Sequence, residues 1–268
     1  TRRITVANPL FFGGVVAVST GLLATAKLEC YGSQGRWEDD TAIALNNSTI
    51  RLIGNRDIEV TETVGDVTVN KWGQFVVQRD LLDRTVNLII GGGAGNDLAR
   101  LLNQSVNGIV IAGNNASLQI NPVDGGYLGS DERIKLFGGV GATGIAALGG
   151  ITNGMVAPWM INATDLQFLT YTADNGFVNA GFDAIRTGAL GNTAVATERT
   201  YINAAATMVG GGGLALDTYA LRIDADITFA SGTAAATDRI QIRSGGLITN
   251  TSARTVTPGI SFGTTAQE

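Results

Sequence analysis

Histidine is absent from the chain, so glycine runs and carboxylates are the groups whose spacing comes nearest to chemistry. Gly139-Val140-Gly141-Ala142-Thr143-Gly144 follows an expected strand, Arg133 to Phe137, with Asp165 about 20 residues on. That is formally a dinucleotide fingerprint, in which glycines let the backbone approach a pyrophosphate at a helix N-terminus and an acid holds the ribose. The helix is what is missing. Ile145-Ala146-Ala147-Leu148 runs straight into Gly149-Gly150, and no βαβ alternation follows, so the run is read as a glycine-rich turn. Gly91-Gly92-Gly93-Ala94-Gly95 and Gly210-Gly211-Gly212-Gly213 lack the Lys-Ser or Lys-Thr of a phosphate loop.

The missing histidine also removes the usual general base, the Ser-His-Asp triad and most zinc sites. Carboxylate chemistry survives that argument. Glu38-Asp39-Asp40, Asp131-Glu132, and Asp224 with Asp226 are the acidic groupings, and a polysaccharide hydrolase would use such paired acids along a groove. The i, i+2 spacing of Asp224 and Asp226 places both on one side of a strand, where oxygen ligands can also hold calcium. Ordinary solvated turn carboxylates are the expectation for each group. No Asp-x-Asp-x-Asp-Gly loop or calcium nonapeptide repeat occurs, and no metal or cofactor is expected. Cys30 is the only cysteine, which excludes an internal disulfide and reads as a small buried hydrophobe. Asn115-Ala116-Ser117 and Asn162-Ala163-Thr164 are formal glycosylation sequons that a chain rich in Asn and Thr produces by chance.

The elements that would carry any such group are strands. The 268 residues are 44% hydrophobic and only 15% charged, which excludes a self-repelling disordered chain. Aromatics make up 6%, so the core must be built from Val, Ile, Leu and Ala. A net charge of −5, with Lys27, Lys71 and Lys135 the only lysines, argues against a nucleic-acid partner and against a polybasic membrane patch. Short β-branched runs recur between Gly, Asn and Asp: Ile43 to Leu45, Thr49 to Ile53, Ile58 to Thr61, Asp66 to Val69, Gln74 to Gln78 and Thr85 to Ile90. They resume at Gly108 to Ala112, Ser117 to Ile120 and Arg133 to Phe137. The last third adds Leu214 to Leu216, Ala220 to Ile223, Asp226 to Ala230, Arg239 to Arg243 and Gly246 to Thr249.

Regular strand-and-turn units with Gly and Asn rather than Pro at the turns favour a solenoid over a sandwich or barrel. Two places break the pattern. Asp97 to Asn107 reads as one short helix or a loop crossing. Residues 138–183 hold Pro158, Trp159 and the aromatics Phe168, Tyr171, Phe177 and Phe182, and read as a large inserted loop or side-lobe. Near the N-terminus, the uncharged stretch Ile4 to Ala26 resembles a signal peptide. Asn8-Pro9, Gly13-Gly14 and Ser19-Thr20-Gly21 interrupt it, so Val15 to Val18 and Leu22 to Leu28 are expected as strands.

Three phrases carry a resemblance to a known family. Arg36-Trp37-Glu38-Asp39-Asp40-Thr41-Ala42-Ile43-Ala44-Leu45-Asn46 with Ser48-Thr49-Ile50-Arg51-Leu52 is the first, and Thr61-Glu62-Thr63-Val64-Gly65-Asp66-Val67-Thr68-Val69 the second. The third runs from Gly154-Met155-Val156-Ala157-Pro158-Trp159 through Asp165-Leu166-Gln167-Phe168-Leu169-Thr170-Tyr171 to Asn175-Gly176-Phe177. Together they resemble the autotransporter-associated β-strand repeat proteins, large bacterial surface or secreted proteins. Asn47-Ser48 stands where that family commonly has glycines. The resemblance implies a passenger-like parallel β-helix, displayed outside the cell as one segment of a longer chain, without catalytic residues.

The sequence therefore predicts a mostly β protein, a parallel β-helix or β-solenoid with a large inserted loop region. Rungs at residues 1–137 and 184–268 flank an insert at 138–183 in one continuous domain. The expected function is a non-enzymatic, extracellular scaffold for a surface fibre, sheath or stalk, whose partners are other copies or adjacent segments of the same long chain. No membrane insertion is expected in this segment. An adhesin is the alternative, with Trp159, Phe168, Tyr171 and Phe177 as its ligand-binding surface; a polysaccharide-active β-helix enzyme is the second.

Overall fold

The computed structural model of the chain describes residues 2–7, 15–19, 26–31, 42–54, 59–69, 72–79, 84–91, 98–100, 104–106, 109–111, 117–123, 127–137, 145, 150–191, 193–209, 214–230, 238–244, 246–250 and 252–263. The chain is mostly β, with several parallel sheets. It divides into two compact units, Thr1–Asp165 with Leu169–Asn179, and Leu166–Phe168 with Ala180–Glu268.

In the first unit, strands form where β-branched and polar residues alternate, since alternate side chains on a pleated strand point to opposite faces. Val60–Val64 buries Val60, Glu62 and Val64, and Val67–Val69 buries both valines. From residue 42 to 136 the chain runs through three sheets in a fixed order. Ala42–Asn46 belongs to a four-stranded sheet, Ser48–Ile53 to an eight-stranded one and Val60–Val64 to a three-stranded one. Val67–Val69, Trp72–Gln78 and Val86–Ile90 repeat the order, and Leu98–Arg100, Ser117–Val123 and Glu132–Leu136 repeat it again. Each strand pairs in parallel with its counterpart from the preceding circuit, as Ile50 does with Phe75 and Phe75 with Ile120. Side chains follow the same columns: Thr49 bonds Gln74 and Asn87 bonds Thr61, at separations of 25 and 26 residues.

The corner between Ala42–Asn46 and Ser48–Ile53 is a single residue, Asn47, at φ 51°. That left-handed conformation favours glycine, and asparagine is among the few other residues that adopt it readily. The core of this unit includes Leu45, Ile50, Leu52, Phe75, Leu88, Ile90, Leu118 and Ile120, each within 1% of full burial. Burying each such side chain stabilises by about 1.5–3 kcal/mol.

The second unit alternates between a six-stranded and a three-stranded sheet. Ala184–Ile185, Thr193–Ile202, Leu214–Ile223, Arg239–Ile242 and Gly259–Phe262 lie side by side in the first, with Leu247–Thr249 also beside Leu214–Ile223. Gly188–Leu190, Ala206–Met208 and Ile227–Phe229 make the second. Pairing is again parallel, but the circuit is uneven: Ala184 pairs with Thr200, Thr200 with Leu221, Leu214 with Arg239 and Gln241 with Ser261, and the register shifts between Val195 and Arg199. Its own core holds Ile202, Met208, Leu216, Leu221, Ile223, Ile227, Ile240 and Ile242.

Three expectations change. Within Asp97 to Asn107, Leu98–Arg100 is a strand parallel to Val67–Val69, and Gln104–Val106 forms an antiparallel pair with Ile109–Ile111, in place of a helix or crossing loop. Residues 138–144 and 146–149, with the glycine fingerprint, lie outside the described residues, as does most of Leu22 to Leu28 before Ala26. Within the described remainder of the expected insert, three segments are strands of the eight-stranded sheet. Met160–Asn162 adds in parallel to Ser117–Val123, and Gln167–Thr172 pairs antiparallel with Gly176–Asn179 in the same eight-stranded sheet. Leu214 to Leu216 and Ala220 to Ile223, expected as two strands, are one strand of 10 residues.

Candidate functional site

The four aromatics expected to form a ligand surface are mainly interior. Phe168, Tyr171 and Phe177 are 1%, 4% and 0% exposed, and Trp159 is half-buried, packed against the first core. Tyr171 and Phe177 meet edge to face with centroids 5.0 Å apart, and the Tyr171 hydroxyl accepts the Leu136 N–H at 2.9 Å. Phe168 packs edge-on against Phe182 at 6.4 Å. Phe168, Tyr171 and Phe177 are thus enclosed, and of the four expected surface residues only Trp159 keeps an exposed part. The physical reason is that bulky rings, scarce in this chain, fill volume that small aliphatics leave open.

The acidic groupings fare differently from one another. Glu38-Asp39-Asp40 lies outside the described residues. Glu132 is fully buried, and its carboxylate accepts the backbone N–H of Arg79 at 2.9 Å and of Val123 at 3.0 Å. Arg79 and Val123 stand where two successive strands of the eight-stranded sheet end, so one carboxylate ties the corners of neighbouring circuits. Asp131 pairs with the Arg79 guanidinium at 3.3 Å. Asp224 and Asp226 sit in the turn between Leu214–Ile223 and Ile227–Phe229 rather than on one strand face. Asp226 accepts the Thr255 N–H at 2.9 Å.

Around Asp224 the structure assembles a cluster that spacing alone did not reveal. Arg222 donates from Nε and Nη2 to the Asp224 carboxylate, and Tyr201 donates its hydroxyl to it at 2.7 Å. The guanidinium lies 4.6 Å from the Tyr201 ring centroid, and its Nη1 donates to the Leu166 carbonyl at 2.8 Å. Phe182 covers Tyr201 at 5.2 Å. Burial alone would raise the Asp224 carboxyl, but the bonds from Arg222 and Tyr201 and the Arg222 charge outweigh it and hold it below the usual range. Burial, with the bond to Asp224, pushes the Tyr201 phenol up. The signal that could have found this group is the parallel register Tyr201↔Arg222, invisible without the strand pairing.

No protein-family model, curated protein or solved structure matches the chain. Function must be argued from this geometry.

Two further features bear on it. Asn162, the acceptor of one sequon, is fully buried and donates to Asp165 at 2.9 Å and to Asn179 at 2.8 Å, so no glycan can be attached there in the folded chain. The other acceptor, Asn115, lies outside the described residues. Gly259–Phe262 is the last strand in its sheet order, carries neither charge nor proline, and leaves Phe262 50% exposed.

Proposed function

We propose that this chain is a non-catalytic structural segment that coils as a β-solenoid and contributes to an extracellular fibre, sheath or stalk on a bacterial surface. The observation that carries the reading is the circuit itself. The chain returns in one order to the same parallel sheets, and columns of complementary side chains, such as Thr49 with Gln74 and Thr61 with Asn87, run across successive circuits. A coil of this kind gains rigidity from backbone bonds and nearest-neighbour packing along one axis. The extracellular location rests on the resemblance to autotransporter-associated β-strand repeat proteins.

The non-catalytic part is supported by the state of the carboxylates. Glu132, Asp131, Asp224 and Asp226 are each committed to a backbone amide or an arginine.

Fibre diffraction and sedimentation of the 268-residue chain test the reading. Aligned specimens should give a reflection near 4.8 Å along the long axis, the spacing of strands stacked along it. Mass should rise with concentration. A chain that stays monomeric at its highest soluble concentration, or whose strand spacing lies across the long axis, overturns it.

A further inference from the structure

The hairpin of residues 169–179 lies against a strand edge. In Glu132–Leu136, Asp131 and Phe137 bond toward Val86–Ile90: the Asp131 carbonyl accepts the Val86 N–H at 2.8 Å, and the Phe137 N–H is donated to the Ile90 carbonyl at 2.7 Å. Backbone groups alternate along a strand, so those of Glu132, Ile134 and Leu136 point the other way, where Glu132–Leu136 is the outermost strand of its sheet among the described residues. All three carbonyls and the Leu136 N–H are covered. The Glu132 carbonyl accepts the Gly129 N–H at 2.9 Å. The Ile134 carbonyl abuts Gly176, where a Cβ would overlap the oxygen. The Tyr171 hydroxyl accepts the Leu136 N–H at 2.9 Å and faces the Leu136 carbonyl at 3.4 Å.

Gly129 is also fitted to the same hairpin, since a Cβ there would overlap Val178. Phe177, fully buried, and Tyr171 fill the space beneath. We propose that residues 169–179 are a built-in edge cap, which denies the Glu132–Leu136 edge to a strand of a second copy of this chain. Exposed parallel edges recruit strands from other chains, and covering an edge is one of the ways proteins prevent it. The occupant kept out is a second copy, because among the described residues its Val60–Val64 strand is the opposite end of the same parallel three-stranded sheet and would extend it in the same sense. The inference stands on the described contacts and does not need the solenoid reading.

The test is Gly176→Ala in the full chain, with Gly150→Ala as control. Both glycines have left-handed φ, +73° and +76°, but nothing lies within 4 Å of a Cβ at Gly150. Gly176→Ala should sediment as larger assemblies than wild type at equal concentration while Gly150→Ala does not. A folded Gly176→Ala chain that matches wild type overturns the cap. Should Gly176→Ala lose its cooperative melt, Tyr171→Phe decides, since it keeps the ring and removes only the hydroxyl. Hydrogen exchange at the Leu136 amide should then accelerate at least tenfold with the Phe137 amide unchanged, and equal protection at both overturns the cap. A monomeric wild type would overturn the fibre reading and leave this readout intact.

Discussion

The two units solve one problem, parallel strands that must turn corners, with different chemistry. In the first, a carboxylate, Glu132, is buried and satisfied by backbone amides at two successive corners. In the second, arginine and carboxylate side chains lie on each other: Arg186 with Glu198, Arg199 with Asp183, Arg222 with Asp224 and Arg243 with Asp217. A buried carboxylate bonded to amides is hard to replace, because its loss strands donors in the interior. A partly exposed ion pair is screened by water and contributes little. The first unit should therefore be brittle at its corners and the second tolerant.

The largest effect expected concerns the cores. Phe75 is 1% exposed in the first core and Leu221 fully buried in the second. Phe75→Ala should cost about 3–5 kcal/mol and Leu221→Ala about 2–5 kcal/mol. Denaturant unfolding followed by hydrogen exchange checks whether each variant loosens its own unit's amides first. Equal loosening of both units by both variants would show that one cooperative block, not two, unfolds.

Much of this was legible in sequence. The alternation of Val67 and Val69 placed a strand where one lies, because one buried face imposes a period of two, and the run Ile58 to Thr61 overlaps the strand Val60–Val64. Two kinds of feature were not legible. Phe168, Tyr171 and Phe177 looked like a decoration because a narrow coil has no room for rings. The antiparallel pair that carries Tyr171 and Phe177 turns them inward beside Glu132–Leu136 instead. Glu132 looked like a solvated turn acid, since its burial depends on amides 53 and 9 residues away. Local pattern reports which face is apolar but not which distant donors a polar group will find.

Glu132→Ala sharpens the contrast next. It leaves the Arg79 and Val123 N–H groups without their acceptor, at a cost of about 2–4 kcal/mol, and Glu132→Gln, which keeps one acceptor oxygen, should recover part of it. Urea midpoints at pH 7 measure both. If Glu132→Ala is no worse than Asp226→Ala, whose carboxylate is exposed, the corner clamp contributes nothing.

The smallest effect concerns the ion pairs, and pH separates it from packing. Asp224 is held below its ordinary range in the folded chain, so the folded state binds fewer protons there than the unfolded chain near pH 4. Its contribution is therefore complete above the unfolded value, about pH 4, and is lost as pH falls through the folded one. Asp224→Asn should lower stability at pH 7 by about 1 kcal/mol or less, with the gap to wild type closing as pH drops below about 4. Glu132→Ala gives the comparison its edge. If acid closed the gap for the buried carboxylate as readily as for Asp224, the first unit's corners would depend on charge after all, and the distinction between brittle and tolerant corners would fail.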